Sequence, residues 1–320
     1  MQEEHVKDNI ILKIRSGSHL YGTATETSDK DFVGIFIPPM ESLHGLTKVD
    51  EIDCSKHDKD AAGRNTVNAE DYKLYSLQKF LRLAVANNPN IIEILFVNEE
   101  NILTINDFGR NLLNNKMIFP CIEARDRFCG YASNQRHKMI IKTDKFNVLK
   151  LASDYFHNLI DKNPDAARTY LVEFRDKHLP FLEWTGEFCK IGDLNIQLNY
   201  QLRKAIKSID QRMAKVTSRK ELILKHGYDT KFGSHLIRLL LEGKRLLETG
   251  GLIFPLPERD IILSIKGGTW SINKLLDYAE ELQQEINDIL PRSCLHKKRQ
   301  FKAVDLLCQT IINEFVRKHI

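Results

Sequence analysis

The chain has 320 residues, 42% of them hydrophobic, and 47 Lys and Arg against 43 Asp and Glu give it a formal net charge of +4. That length is too great for one small α/β domain and suits two, the apolar share can bury an ordinary core, and no apolar run approaches the roughly 18 residues that span a bilayer. The start, Met1-Gln2-Glu3-Glu4-His5, has no apolar stretch of the kind that directs export, and the six cysteines lack a Cys-x-x-Cys pair, so free thiols in a reducing cytoplasm are expected.

In chain order the first element is Ile10-Ile11-Leu12-Lys13-Ile14, a β-branched apolar run that reads as a buried strand ending at Gly17, where the backbone can turn sharply. A strand entering a Gly17-Ser18 turn exposes N–H groups and a hydroxyl suited to terminal phosphates, and a helix starting near His19 would add its positive end. Asp31-Phe32-Val33-Gly34-Ile35-Phe36-Ile37 reads as a second strand. Residues two apart on a strand point the same way, so Asp29 and Asp31 share a face. Two such carboxylates repel unless a cation lies between them, and magnesium or manganese, which take hard oxygen ligands, is the natural one. The bland alternative is that the two acids decorate a solvated turn after Thr27-Ser28. Against it stands the order of the parts, with the phosphate turn about eleven residues ahead of the first acid.

A two-metal site usually needs a third carboxylate. The stretch Asn68-Ala69-Glu70-Asp71-Tyr72-Lys73-Leu74-Tyr75 alternates and reads as a strand before a helix beginning near Ser76. Asp71 is preferred over Glu70, because its parity leaves Tyr72 and Leu74 together on the face that packs against helices.

A helix is predicted over 76–86, closed by Asn87-Asn88-Pro89, and beyond residue 100 helical periods dominate: 121–142, 146–161, 164–177, 194–216, 228–248, 272–290 and 298–318. The expected fold class is α+β, a small mixed β-sheet domain over 1–115 followed by an all-helical domain over 116–320 that closes over the cleft of the first.

Charge is uneven. Between residues 190 and 248 there are 13 Lys and Arg against 6 Asp and Glu, a surplus of +7. Arg203-Lys204, Lys207, Arg212, Lys215 and Arg219-Lys220 recur at helical spacing and could present a basic stripe to a phosphate backbone, with His296-Lys297-Lys298-Arg299 as a second patch; an ordinary solvated helix face is the alternative. Lys231, His235 and Arg238, at i, i+4 and i+7, fall on one helix face, where they could neutralise charge on a leaving pyrophosphate, or could instead pair with acids and pack.

The stretch from Gly17-Ser18-His19-Leu20-Tyr21-Gly22 to Ser28-Asp29-Lys30-Asp31-Phe32-Val33-Gly34 resembles the DNA polymerase β superfamily, in particular the nucleotidyltransferases called the RNA repair pathway DNA polymerase β family. The resemblance continues through Leu77-Gln78-Lys79-Phe80-Leu81, Asn88-Pro89-Asn90-Ile91-Ile92-Glu93, Gly130-Tyr131-Ala132 with Gln135, and Thr230-Lys231 with His235-Leu236-Ile237-Arg238-Leu239-Leu240. Residues 41–68 are a polar insertion outside it. It implies a polymerase β-like sheet domain with a helical domain, a nucleoside triphosphate substrate, and magnesium or manganese on Asp29, Asp31 and Asp71. The nucleotide would be held by Gly17, Ser18 and Ser28 with Lys231, His235 and Arg238, and an RNA acceptor, such as a tRNA-like end, by Arg203, Lys204, Arg212 and Lys215. A protein hydroxyl as acceptor, or a binding module without catalysis, are the alternatives. The carboxylate set favours catalysis, since neither Asp29 nor Asp31 is missing.

Overall fold

A computed structural model describes residues 6–26, 28–58, 66, 68–216 and 220–319. In chain order the strands and helices are β1 (Ile10–Arg15), α1 (Gly17–Tyr21), β2 (Lys30–Phe36), α2 (Met40–His44), β3 (Glu51–Asp53), β4 (Glu70–Ser76), α3 (Leu77–Val85), α4 (Pro89–Leu95), β5 (Ile102–Ile105), α5 (Asp107–Asn114) and α6 (Ala124–Lys162). There follow β6 (Glu183–Thr185), β7 (Phe188–Ile191), β8 (Leu194–Gln197), α7 (Leu202–Val216), α8 (Lys220–His226), α9 (Thr230–Thr249), α10 (Arg259–Lys266), α11 (Ile272–Ile289) and α12 (Phe301–His319). The class is α+β: a mixed sheet near the N-terminus and a mostly helical remainder.

Strands β1 to β5 form one sheet in the order β3-β4-β2-β1-β5, with β2 and β4 parallel and the other pairs antiparallel. In β4 the side chains of Tyr72 and Leu74 are buried while Asp71 and Lys73 are exposed, the period of two expected of a half-covered strand. Tyr72 and Leu74 join Val6, Phe36 and Ile52 in a core cluster. The Ser76 hydroxyl accepts from the Lys79 N–H at 3.2 Å and starts α3, which buries Ala84 together with Leu77, Phe80 and Leu81, the last three each worth about 1.5–3 kcal/mol. Asn88 caps α4 with Pro89 in its first turn, and Asn106 caps α5.

Two compact units result, one of Met1–Ser133, Ser234–Gly267 and Asn273–Ile320, the other of Asn134–Gly233 and Gly268–Ile272. This differs from a division at 115/116, because C-terminal helices complete the core of the N-terminal unit. Helix α12 packs on α3 and α5, with the Phe108 and Phe315 rings 5.7 Å apart, and Arg238 of α9 pairs with Glu93 of α4.

Between residues 121 and 216 three expectations are corrected. The helices anticipated over 121–142 and 146–161 are one helix, α6, because no Gly or Pro interrupts it there and Met139, Thr143, Phe146, Leu149, Ala152 and Phe156 continue a buried stripe at three- and four-residue spacing. The segment 164–177 forms two 3-10 stretches, Pro164–Arg168 and Leu171–Lys177, in which Leu171 and Phe174 are buried three residues apart. The helix anticipated from 194 begins only at Leu202, and before it β6, β7 and β8 form an antiparallel sheet that buries Cys189, Ile191 and Ile196 against the same cluster as Phe156, Leu171 and Ile209. No helix among the described residues is long and apolar enough to cross a membrane, and the six cysteines are free thiols.

Candidate active site

The site is assembled where β1 ends and β2 and β4 lie side by side. Their parallel register sets Asp31 directly beside Asp71, and Lys30 beside Glu70. Asp29 immediately precedes β2, and one carboxylate oxygen from each of Asp29, Asp31 and Asp71 lies within 4.8 Å of the other two. Asp29 and Asp31 are half-buried and Asp71 is exposed, so the cluster opens to solvent. Glu70 points elsewhere and pairs with Lys56 at 3.1 Å. Three solvent-accessible carboxylates at this spacing form an all-oxygen donor set, the chemistry that hard divalent cations prefer.

Gly17 is part of the same construction. It opens α1 with φ at +61°, a conformation natural to glycine, and a Cβ built on it would run into Asp31 Oδ2. The Ser16 N–H donates to Asp31 O at 2.8 Å, joining the turn to β2 on the backbone side as well. Ser18 is the second residue of α1, where helical amides have no partner one turn back. Ser28 shapes the approach to β2: its hydroxyl accepts from the Thr25 N–H at 2.9 Å, and its own N–H donates to Thr25 O at 3.0 Å.

The other sequence candidates lie in different settings. Lys231 is exposed and belongs to the second unit, whereas His235 and Arg238 belong to the first, His235 half-buried and Arg238 buried. Arg238 donates to a carboxylate oxygen of Glu93 and to both oxygens of Glu242, at 3.0 and 2.9 Å. Its charge is taken up by acids inside the protein, which removes it from the candidates for holding a phosphate. On α7, Arg203, Lys204 and Lys215 are exposed, with Lys204 Nζ 3.7 Å from the centre of the Tyr200 ring. Arg212 grips Asp193 through Nε at 3.0 Å and Nη2 at 2.6 Å, and Lys145 adds a third contact to that carboxylate at 3.3 Å. These cations hold Asp193 down at about 2, chiefly through the Arg212 hydrogen bonds. Arg219 lies outside the described residues. In the second patch Arg299 pairs with Glu123 at 2.5 Å.

Sequence reasoning missed the buried polar group behind α1. The Tyr21 hydroxyl donates to Glu93 at 2.5 Å, the Arg238 guanidinium lies 4.2 Å from the centre of the Tyr21 ring, and Glu242 completes the cluster. The signal was there in Glu93, a lone acid inside the apolar helix Pro89–Leu95.

Residues 1–159 match the family described as RNA repair pathway DNA polymerase beta family. This half of the chain belongs to that family. As its member the protein is a nucleotidyltransferase, and the carboxylate cluster falls wholly within the matched residues. The chain is also 27% identical over 298 residues to an uncharacterized 38.9 kDa protein of Enterobacteria phage T4, covering 86% of this chain and 88% of that one. Among solved structures it resembles, loosely, a nucleotidyltransferase-like protein from Exiguobacterium sibiricum 255-15, with a TM-score of 0.25 and 11% identity over 97% of this chain and 74% of the other.

Proposed function

We propose that the protein transfers a nucleoside monophosphate from a nucleoside triphosphate to the hydroxyl of an RNA end, releasing pyrophosphate. The observation that carries this reading is the convergence of Asp29, Asp31 and Asp71 beside the Gly17 turn, inside a region of nucleotidyltransferase ancestry. The acceptor oxygen forms a bond to the α-phosphorus, the bond from that phosphorus to the bridging oxygen of the β-phosphate breaks, and the acceptor proton departs to solvent. Magnesium or manganese held by the three carboxylates supplies charge neutralisation for the triphosphate and acidity for the acceptor hydroxyl. Gly17 and Ser18 receive the terminal phosphates on their backbone amides, and the missing Cβ of Gly17 leaves room for Asp31 at the same point. The RNA acceptor is supported by the family's description and by the exposed Arg203, Lys204 and Lys215 on α7.

The test is incubation with each α-labelled triphosphate and magnesium or manganese, against separate RNA and protein pools. Label in the RNA pool that disappears in Asp31→Asn supports the proposal. Label only in the protein pool makes the enzyme a modifier of proteins, and label in neither pool leaves a binding module.

A further inference from the structure

Tyr21, Glu93, Arg238 and Glu242 are 8%, 3%, 5% and 1% exposed, and they come from three separate helices, α1, α4 and α9. Burying three ionisable groups and a phenol is costly unless each is paired, and here the pairing is dense: Arg238 contacts both acids, and Tyr21 donates to Glu93 while its ring lies under the guanidinium. An interior that needed only packing would place apolar side chains here, as the neighbouring Ile92, Ile237 and Leu240 show. What the cluster fixes is α1. This helix has five residues, too few to hold itself together, so its position must come from outside.

Further anchors act on the same short piece. Tyr21 O accepts from the Leu256 N–H at 3.2 Å, the Tyr21 ring lies 6.1 Å from that of Phe254, and Lys266 Nζ donates to Thr23 O at 2.9 Å. At its other end α1 starts with Gly17, whose α-carbon abuts the Asp31 carboxylate with no room for a methyl group. The path from the interior cluster to the acid site is therefore one helix long.

We propose that Tyr21, backed by Glu93, Arg238 and Glu242, is a positioning residue that holds α1 against Asp31 and so sets the geometry of the acid cluster. It touches neither nucleotide nor acceptor. This inference rests on the nucleotidyl-transfer reading only for what the cluster serves; the mechanical link is readable in the protein alone.

Tyr21→Phe removes the hydroxyl and keeps the ring on Arg238. Three quantities decide: the thermal midpoint, amide hydrogen exchange of residues 18–23 without ligand, and the dissociation constant for Mn2+ alone. With the midpoint within a few degrees of wild type, exchange over 18–23 should quicken about tenfold while exchange in α11 stays unchanged, and Mn2+ binding should weaken several-fold. In turnover the loss should exceed that of a matched interior variant of equal stability, such as Ile237→Val. Should Tyr21→Phe fail to fold, Lys266→Met, which removes the anchor on Thr23 O, carries the same expectations. Unchanged exchange over 18–23, or unchanged Mn2+ affinity, overturns the positioning role. Wild-type protein that binds neither Mn2+ nor a triphosphate overturns the reading of the site alone; the exchange contrast over 18–23 in Tyr21→Phe then upholds or overturns the hold of Tyr21 on α1 by itself.

Discussion

The acids at the rim, Asp29, Asp31 and Asp71, and the acids of the interior, Glu93 and Glu242, belong to the same compact unit and meet the same difficulty of like charges held close. At the rim the side chains are half-buried or exposed and their oxygens converge within 4.8 Å, an arrangement that a dissolved cation can complete. In the interior the counter-charge is built in: Arg238 sits between the two carboxylates. Burial pushes Glu242 well above the usual carboxylate range, Glu93 adds to that, and Arg238 pulls against it. The rim cluster stays open to water, and the interior cluster is sealed around its own cation.

Two substitutions break that contrast most sharply. Asp31→Asn removes charge where an ion is to bind, so turnover should fall on the order of a thousand-fold or more, equal to about 4 kcal/mol of barrier. The thermal midpoint of the metal-free protein should hold or rise as repulsion is relieved. A rate within tenfold of wild type, with the same metal dependence, would remove this cluster from the chemistry. Arg238→Met does the reverse, leaving two buried acids without their cation, and should cost about 3–5 kcal/mol in urea unfolding followed by circular dichroism. A loss below about 1 kcal/mol would mean that the interior acids are already neutral without Arg238.

The rim cluster was legible in sequence because its parts are local: a Gly-Ser turn after a strand, and two acids two residues apart entering the next. Asp71 was reachable through strand parity, since Tyr72 and Leu74 mark the opposite, buried face of β4. The interior cluster was not legible, because its members are separated by up to 221 positions (21 to 242), and only tertiary packing unites Glu93 with Arg238, 145 residues on. That is why helical spacing and the family resemblance left two readings of Arg238 open, a phosphate ligand or a partner of acids, and only the fold names those acids as Glu93 and Glu242. The small sheet β6–β8 was missed although two-residue turns, Gly186-Glu187 and Gly192-Asp193, separate its strands and both glycines have positive φ. The helical period of the surrounding segments overrode that signal.

A subtler break concerns register at the rim. Glu70 and Asp71 are neighbours on β4, but Glu70 pairs with Lys56 while Asp71 faces Asp31 across the parallel strands. Asp71→Asn should lower turnover roughly a hundred-fold, about 3 kcal/mol, with triphosphate affinity nearly unchanged. Glu70→Gln removes only a solvent-exposed ion pair, so its effect should stay below about 1 kcal/mol in stability and be small in rate. Steady-state kinetics on both variants decide it, and the opposite ranking would assign the third carboxylate to Glu70.

The smallest effect belongs to the second unit, where Asp193 is caught between Arg212 and Lys145 instead of facing an exchangeable ion. Its folded-state value, lowered from 3.8 to about 2, means that the stabilisation is present above pH 4 and is lost as the pH falls toward 2. Arg212 and Lys145 are 38% and 39% exposed, so solvent screening reduces the gain to about 1 kcal/mol. Both tryptophans, Trp184 and Trp270, lie in this unit, and their fluorescence reports its unfolding separately from the first. In urea titrations Asp193→Asn should be less stable than wild type by about that amount at pH 5 and should approach it at pH 2. An equal gap at both pH values would show that Asp193 acts through packing and not through its charge.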